Sequence, residues 1–427
     1  MSESTRGRLA IVVGGGPAPG INGVISAVTI EAIRRGLEVV GVRQGFSSLV
    51  GDSPKTVILS ASEVGPWYNR GGSILGTSRV NPAKEPAHMQ NVLDTFDRLN
   101  VRYLVTIGGD DTAFSGSQVY ERAKGKIKVA HVPKTIDNDL PLPPGIPTFG
   151  FETARHYGVQ LARALHEDAR TTGRWYLVVS MGRAAGHLAL GIGKAAAATL
   201  TLIREEFRDK KLTLDGLADA IIGSMVKRKV EGKRYGLVIL AEGLIEAIGE
   251  QGLIDAIGEQ ELKQYGKIEK DPHGHLRLGE IEFGRMVREW LSKRMEPLGL
   301  KSVMIDKDLG YELRCADPIP FDAEYTRDLG YGAVKFLMSP EADQYGAIVS
   351  VVGGKLMPLR FQDMIVPATK RMQTRDVDLN SVTYECARQY MTRLEKEDFA
   401  SPDKLALLAA AAKLTPDAFR ERFEKVV

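Results

Sequence analysis

The sequence has little cysteine, little net charge and no long apolar run. Its 427 residues include two cysteines, Cys315 and Cys386, which are too few for a disulfide framework or a cysteine metal site. The net charge of +3 gives no argument for binding nucleic acid or a membrane surface. No apolar run approaches the roughly 20 residues needed to span a bilayer, and residues 1–8 contain no apolar signal core. We therefore expect a cytoplasmic enzyme or binding protein with two or three domains' worth of core.

Two common phosphate-binding motifs are also missing. The glycine-rich turn Gly14–Gly23 follows the apolar strand Leu9–Val13, and its spacing matches neither the dinucleotide fingerprint nor the P-loop. A helical pattern and a second strand, Leu37–Val42, come next, so the segment is a βαβ unit of a parallel sheet. Backbone N–H groups in such a turn approach a phosphate closely. Many such turns, however, carry glycine for steric reasons only.

Two further polar loops have comparable positions. The glycine-rich loop Gly71–Arg79 ends in an arginine, which is suited to bridging phosphate oxygens; a solvated surface arginine is the alternative. The loop Gly108–Thr112 follows the strand Tyr103–Ile107 and contains two adjacent carboxylates. Their repulsion must be offset by a cation or by solvent. Capping of the helix that follows would account for one of these aspartates but not for both.

The segment Pro133–Asp139 is the most informative part of the chain. It follows the apolar strand Ile127–Val132 and is interpreted as a short loop carrying a lysine, a threonine and two aspartates. Ligands of open α/β sheets bind at such strand ends, although a polar turn is the alternative interpretation. The three loops together offer backbone N–H groups, an arginine, a lysine and four carboxylates. This set suits phosphoryl transfer, in which Mg²⁺ bridges phosphate oxygens and a carboxylate accepts the nucleophile's proton.

The order of these motifs resembles the phosphofructokinase family over about residues 8 to 350. The turn from Gly14, the Gly-Gly-Asp-Asp stretch, the Lys-Thr-Ile-Asp-Asn-Asp stretch and the later Met181–Arg183 follow one another as they do in that family. The ATP-dependent branch typically has glycine in place of both Asp111 and Lys134, so this chain resembles the diphosphate-dependent branch. The resemblance implies two Rossmann-like three-layer α/β domains with the active site in the cleft between them. It assigns residues 1–150 and about 313–365 to the phosphoryl donor, and 151–312 and about 366–427 to the sugar phosphate.

The resemblance also implies roles for the donor-side residues. Asp137 resembles the base that takes the proton from the C1 hydroxyl of fructose 6-phosphate, and Asp110 with Asp139 resembles the magnesium carboxylates. Gly16 matches the glycine that contacts diphosphate, and Arg79 the arginine that bridges the transferring phosphates. Lys134 would neutralise the charge that develops on diphosphate.

Asp111 would exclude ATP from the donor site. Its carboxylate would occupy the space of the nucleotide's α-phosphate. Two unit charges about 4 Å apart cost about 4 kcal/mol at an effective dielectric constant near 20, which is about three decades in affinity.

A second group of residues matches the family's sugar-phosphate contacts. Its members are Thr135, Asp137, Arg174, Met181, Gly182, Arg183, Glu242, Tyr311 and Arg314. Arg174 corresponds to an arginine supplied across a subunit contact, which implies a homodimer or homotetramer. A further family arginine falls on Ile305 here, and Lys301 or Lys307 are candidates to replace it. Residues 245–300 depart from the compact bacterial pattern, and Asp271–His275 is interpreted as a loop and not a metal site.

The expected reaction is reversible transfer from diphosphate to fructose 6-phosphate, giving fructose 1,6-bisphosphate and phosphate, in glycolysis or gluconeogenesis. The family's effector arginines fall on Ser26 and Ile30, so we expect a non-allosteric enzyme. Alternatives are an ATP-dependent phosphofructokinase, a related acceptor such as sedoheptulose 7-phosphate, and an inactive sugar-phosphate sensor. Asp111 and Lys134 oppose the first, and Asp110 and Asp137 oppose the last.

Overall fold

The computed structural model of the chain describes residues 7–51, 53–266, 278–366 and 371–427. The amino-terminal residues 1–6 and the loop expected at 271–275 lie outside this range. The chain folds into two compact units: unit 1 comprises Met1–His156 and Tyr311–Arg375, and unit 2 comprises Tyr157–Gly310 and Asp376–Val427. None of the helices in the described ranges is long and apolar enough to cross a membrane.

The strands, in chain order, are β1 (Arg8–Val13), β2 (Glu38–Val42), β3 (Thr56–Leu59), β4 (Val101–Gly108), β5 (Lys128–Thr135), β6 (Phe149–Gly150), β7 (Trp175–Ser180), β8 (Leu200–Leu202), β9 (Gly236–Ala241), β10 (Met304–Leu309), β11 (Ala347–Val352), β12 (Lys355–Arg360), β13 (Ile365–Val366) and β14 (Arg371–Met372). The helices are α1 (Ile21–Arg34), α2 (Ala61–Val64), α3 (Pro86–Arg98), α4 (Asp110–Ala123), α5 (Phe151–Thr172), α6 (His187–Ala195), α7 (Leu214–Val230), α8 (Leu244–Ile257), α9 (Glu259–Leu262), α10 (Phe283–Met295), α11 (Tyr311–Arg314), α12 (Pro320–Leu337), α13 (Phe361–Met364), α14 (Val382–Tyr390), α15 (Lys396–Ala400), α16 (Pro402–Ala411) and α17 (Pro416–Phe423).

Unit 1 is built around a sheet in the order β12-β11-β5-β4-β1-β2-β3, with β6 beside β5. The inner strands run parallel, and the edge strands β3 and β12 pair antiparallel to their neighbours. Alternate residues of β1 enter two different cores: Leu9 and Ile11 pack with α1 and α12, whereas Ala10 and Val12 pack with α3 and α4. A strand that is buried on both faces needs helices on both sides, so the sheet is the middle of three layers.

Unit 2 contains a four-stranded parallel sheet in the order β10-β7-β9-β8. Trp175, Leu177 and Val179 of β7 enter a core formed with α7 and α10 and with the carboxyl-terminal helices α16 and α17. Helices that pack on parallel strands in both units confirm the predicted α/β fold class.

Three local predictions are wrong. The segment Pro133–Thr135 is not a loop but the end of β5, which runs to Thr135. On one side, β5 pairs with β11 through Ala130 and His131, and with β6 through Lys134 and Thr135. Pro133, which has no N–H to donate, lies between these two paired segments.

The second concerns residues 377–394, whose amphipathic pattern predicts one helix; the helix there is restricted to α14. The third concerns capping. The residue before α4 is Gly109, with no side-chain cap, so neither Asp110 nor Asp111 caps that helix; both lie in its first turn. There their charge is favourable to the helix dipole.

Candidate active site

The turns that follow β1, β4 and β5 meet at one edge of unit 1, because these three strands are neighbours and parallel. Thr112, in the first turn of α4, sets how closely two of these turns approach each other. A Cβ atom on Gly14 would lie 2.3 Å from the Thr112 hydroxyl, and one on Gly108 would lie 2.3 Å from its Cβ. The contact with Thr112 leaves no room for a side chain at either position, so both must be glycine. The two turns can then lie close together.

The first glycine turn is tied to the loop that ends at Arg79. The Gly15 N–H donates to the Ser78 carbonyl at 2.8 Å, and the Thr77 hydroxyl donates to the Gly15 carbonyl at 2.7 Å. Gly15 has φ of +80°, a conformation that favours glycine. The side chain of Arg79 is exposed directly after this tether. The structure thus brings Gly16 and Arg79 to the same edge, as the sequence predicts.

The adjacent carboxylates of Asp110 and Asp111 are both exposed at the start of α4. Asn81, which belongs to no sequence motif, lies beside them. Its side-chain amide donates to Asp111 Oδ1 at 3.5 Å, and its own oxygen accepts from the Ser115 hydroxyl at 3.1 Å. These contacts orient the Asp111 carboxylate without neutralising it.

Lys134 is the buried cation of this edge, with 4% of its side chain exposed. Its Nζ donates a short hydrogen bond to the Gly16 carbonyl. Burial, together with the charges of Arg314 and Arg79, lowers the pKa of Lys134 to about 8, although Asp137 and Asp139 act to raise it. Arg79, Asp137, Asp139 and Arg314 are therefore all close enough to Lys134 to act on its charge.

Asp137 and Asp139 lie in the turn after β5. The Asp137 N–H donates to the Thr135 hydroxyl at 3.0 Å. Burial raises the pKa of Asp139, and the nearby Asp110 raises it further, which places these two carboxylates together. Thr135 and Arg375 act in the opposite direction. Within the described residues no cluster of three or more metal-ligating side chains of the His, Cys, Asp or Glu types occurs.

His131 is a second residue that sequence reasoning missed. It is buried beneath the Asp110 turn, with Nδ1 2.9 Å from the Thr106 hydroxyl and Nε2 3.0 Å from the Gly108 carbonyl. Burial lowers its pKa to about 3, so the ring is neutral and donates one proton to that carbonyl. It lies inside an apolar strand pattern, where a histidine gives no signal of its own.

Tyr311 and Arg314 belong to the short helix α11 of unit 1. The Arg314 guanidinium packs on the Tyr311 ring, with Cζ 4.9 Å from the ring centroid. A Cβ atom on Gly16 would lie 3.3 Å from Cζ of Arg314. The structure thus places Arg314 with Gly16 and Lys134, and its assignment to the sugar phosphate stays a prediction.

In unit 2, four predicted residues converge at the carboxyl ends of β7 and β9. The Gly182 N–H donates to Glu242 Oε2 at 3.1 Å, and the Glu242 N–H donates to the Ser180 carbonyl at 2.9 Å. The Gly243 N–H donates to the Gly182 carbonyl at 3.3 Å, and φ of Gly182 is +126°. Met181, Gly182, Arg183 and Glu242 therefore form one loop cluster, which is held by backbone hydrogen bonds and by the Glu242 carboxylate.

Arg174 is not part of this cluster. It precedes β7, whereas Met181 follows it, and a strand of six residues separates them. At about 3.3 Å per residue, that is about 20 Å. The Arg174 guanidinium lies 3.9 Å from Asp168, and among the residues that the structure describes its Nε has no hydrogen-bond acceptor. Within one chain, Arg174 and the Met181–Arg183 loop cannot hold the same phosphate.

Comparison with known proteins adds evidence on the family. The phosphofructokinase profile matches residues 8–337. The chain is 51% identical to the pyrophosphate–fructose 6-phosphate 1-phosphotransferase of Thermotoga maritima, over 97% of this chain and 98% of that one. It is 48% identical to the enzyme of the same name from Naegleria fowleri, over 98% of this chain and 95% of that one.

Solved structures agree with the fold. Phosphofructokinase from Saccharomyces cerevisiae matches with a TM-score of 0.65 at 18% identity, covering 99% of this chain and 50% of that one. The pyrophosphate-dependent phosphofructokinase of Marinobacter aquaeolei matches with a TM-score of 0.63 at 16% identity, covering 95% of this chain and 91% of that one. These likenesses bear on the fold alone, and with the profile match and the sequence identities they lead to one conclusion. The chain belongs to the phosphofructokinase family.

Proposed function

We propose that this chain catalyses the reversible transfer of a phosphoryl group from diphosphate to the C1 hydroxyl of fructose 6-phosphate. The observation that carries the proposal is the buried Lys134, surrounded by Asp137, Asp139, Arg79 and Arg314 at one edge of unit 1. The names of the two relatives at 51% and 48% identity support the same reaction.

Asp137 is the proposed base. The C1 oxygen of the sugar attacks the terminal phosphorus of diphosphate, and the bond from that phosphorus to the bridging oxygen breaks. The hydroxyl proton moves to the Asp137 carboxylate, and inorganic phosphate leaves. The hydrogen bond from the Asp137 N–H to Thr135 fixes the backbone that carries this carboxylate. A positioned carboxylate in this role contributes about 10²–10⁴-fold to a rate.

The donor is proposed to lie against the glycine turn of β1. The Gly16 backbone approaches its phosphates, while Lys134 and Arg79 neutralise the charge that moves to the leaving phosphate. Lys134 is preorganised for this, because its Nζ is already held by the Gly16 carbonyl. Fixed charges that match the developing charge need no reorganisation during the reaction. Arg314, beside Gly16, is close enough to contact a bound phosphate as well.

Asp110 and Asp139 are proposed to hold Mg²⁺. Mg²⁺ is usually bound by one or two carboxylates together with substrate phosphates, and when bound it neutralises phosphate charge. The pair in this structure fits that pattern, because Asp110 is close enough to Asp139 to disfavour the ionised state of Asp139 when no cation is present. A third protein carboxylate is not needed.

Asp111 is proposed to select the donor. It is exposed, so its charge is partly screened, and its repulsion of a phosphate about 4 Å away lies between about 1 kcal/mol in bulk water and about 4 kcal/mol at a dielectric constant near 20. This repulsion is weaker than the value predicted from the sequence. We therefore propose that ATP is excluded more by the volume of the Asp111 carboxylate, which Asn81 holds in place.

Fructose 6-phosphate is proposed to contact Thr135, Tyr311, the Met181–Arg183 loop and Glu242. The separation of Arg174 from that loop supports the view that Arg174 serves a site on another subunit. We therefore propose a homo-oligomer, a dimer or a tetramer, in which Arg174 of one protomer binds the 6-phosphate held by its partner. A cytoplasmic location is part of the same proposal.

A turnover assay with the purified chain, fructose 6-phosphate and Mg²⁺ tests the proposal. ³¹P spectra should show fructose 1,6-bisphosphate and phosphate forming from diphosphate, and diphosphate forming when those products are supplied instead. Turnover with ATP should be at least about tenfold slower than with diphosphate. A faster reaction with ATP, or sugar-phosphate binding without any turnover, would contradict it.

A further inference from the structure

Arg375, the last residue of unit 1, reaches back to the turn that carries Asp137 and Asp139. Its Nη1 donates to the Ile146 carbonyl at 2.8 Å, and its Nε and Nη2 donate to the Asn138 carbonyl at 3.2 and 3.1 Å. Nη2 also donates a short hydrogen bond to the Asn138 side-chain oxygen. The guanidinium therefore holds both ends of the segment from Asn138 to Ile146.

The backbone of the same residue adds another bond. The Arg375 N–H donates to the Asp139 carbonyl at 2.8 Å. On the far side of the turn, the Thr148 N–H donates to Asn138 Oδ1 at 3.0 Å. Asn138 has φ of +57°, so the residue between the two aspartates is in the left-handed region, which asparagine adopts more readily than most residues. Such a backbone is kept in place by its surroundings, and Arg375 supplies most of the bonds to it.

The position of Arg375 in the sequence sets it apart from the motif residues. It lies beyond residue 337, where the family profile ends, on a segment that leaves β14. We propose that Arg375 is a positioning residue that fixes the Asp137–Asn138–Asp139 turn, and thereby the base and one magnesium carboxylate, for the proposed phosphoryl transfer. The inference rests on the proposed function only for the roles of Asp137 and Asp139, since the contacts themselves lie within unit 1.

The geometry calls for arginine and not merely for a cation. Three nitrogens of its planar guanidinium donate to three different oxygens, a fork that the single ammonium of lysine does not reproduce. The acceptors are two backbone carbonyls and an amide oxygen, so the hydrogen bonds themselves fix the shape of the turn, while the charge of Arg375 also favours the ionised form of the nearby Asp139. Residues that orient a reacting or metal-binding group in this way typically contribute about 10–100-fold to activity or metal affinity.

The test uses the full-length chain with Arg375→Ala, Arg375→Lys and, as a matched control on the same segment, the exposed Thr374→Ala. In Arg375→Ala we expect kcat with diphosphate to fall about 10–100-fold, while KM for fructose 6-phosphate stays within about threefold. The kcat of Arg375→Lys should lie between the values for wild type and Arg375→Ala. Guanidinium ion at millimolar concentration should restore part of the rate to Arg375→Ala and leave the control unchanged. Thermal unfolding curves confirm that each variant is folded.

Amide hydrogen exchange provides a readout that does not depend on turnover. In Arg375→Ala the peptide covering 136–148 should exchange about tenfold faster or more, with the peptide covering β1 unchanged. Unchanged exchange in 136–148, or faster exchange with unchanged kcat, would overturn the positioning role. If the wild-type chain itself fails to use diphosphate, the proposed function fails, and the exchange result alone decides whether Arg375 fixes the turn.

Discussion

The edge of unit 1 and the loop cluster of unit 2 are organised by different forces. In unit 1, charged side chains act on one another: Lys134 is buried among two carboxylates and two guanidinium groups, and Asp110 disfavours the ionised form of Asp139. In unit 2, the Met181–Arg183 loop is held mainly by backbone hydrogen bonds, with one bond from the Gly182 N–H to Glu242 and one from the Arg204 guanidinium to the Arg183 carbonyl.

This difference indicates how the work is divided. Closely placed charges with shifted pKa values are typical of groups that take part in a reaction, because catalysis needs charges fixed where the transition state develops them. A loop shaped by its backbone is suited to recognising a substrate's shape. We therefore expect substitutions in unit 1 to lower kcat and substitutions in unit 2 to raise KM for the sugar phosphate.

The largest effect is expected at Asp137. Asp137→Asn should lower kcat by about 10²–10⁴-fold, because the amide cannot take the hydroxyl proton, while KM for fructose 6-phosphate changes little. Asp97→Asn, at an exposed position in α3, serves as the control and should behave as wild type. Near-normal turnover in folded Asp137→Asn would show that Asp137 is not the base, and would contradict the division of roles between the two units.

A smaller effect is expected at Arg174. Arg174→Ala should raise KM for fructose 6-phosphate by about 10–100-fold with little change in kcat, because a charge-assisted contact to the 6-phosphate is lost. KM for diphosphate should stay near its wild-type value.

Mixing the Arg174→Ala and Asp137→Asn subunits tests whether Arg174 acts across an interface. In a randomly exchanged symmetric dimer, about a quarter of the sites would combine intact Asp137 with intact Arg174 from the two protomers. Activity at low fructose 6-phosphate should then exceed the sum of the two separate variants. Exchanged subunits without any gain, or a fully active monomer, would show that Arg174 serves its own chain.

The smallest effect concerns pH and Lys134. The pKa of about 8 means that Lys134 is charged below that pH and loses its charge as the pH rises through it. We expect kcat/KM for diphosphate to decline above about pH 8 in the wild type, and Lys134→Arg to lack this decline, because arginine stays protonated.

Stability should change in the opposite direction over the same range. The pKa of Lys134 is lowered in the folded state, so the unfolded chain binds more protons between about pH 8 and 10.5, and the contribution of Lys134 to the free energy of unfolding rises with pH there. Denaturant unfolding at two pH values separates the two effects. An alkaline decline that Lys134→Arg shares with the wild type would assign it to another group.

Much of the arrangement at the unit 1 edge can be predicted from the sequence, because the strands are short apolar runs whose ends are recognisable. Each strand that feeds the unit 1 edge is followed by glycine or by charged residues, and parallel neighbours bring such ends together. The end of β5 was predicted wrongly because a proline, here Pro133, is typical of a loop. The structure explains why proline is tolerated in this strand, since the pairing with β11 ends before Pro133 and the pairing with β6 begins after it.

Other features depend on contacts between distant parts of the chain. Arg375 reaches Asn138 across 237 residues, and Asn81 reaches Asp111 across 30. Neither residue belongs to a sequence motif. An arginine or an asparagine in a surface segment is ordinarily solvated, so the sequence alone does not predict these contacts. His131 is hidden for a different reason, because its neighbours make it part of an apolar strand pattern.

Donor choice provides the most direct measurement of the central claim, that the unit 1 edge is built for diphosphate. The quantity is the ratio of kcat/KM with ATP to kcat/KM with diphosphate, measured for wild type, Asp111→Gly, Lys134→Gly and the double variant. Asp111→Gly should admit ATP weakly and keep some diphosphate activity. Lys134→Gly should lower kcat with diphosphate, because its charge is used mainly in the transition state. The double variant should shift the ratio most. A ratio that stays within twofold of wild type in both Asp111→Gly and the double variant would contradict the account.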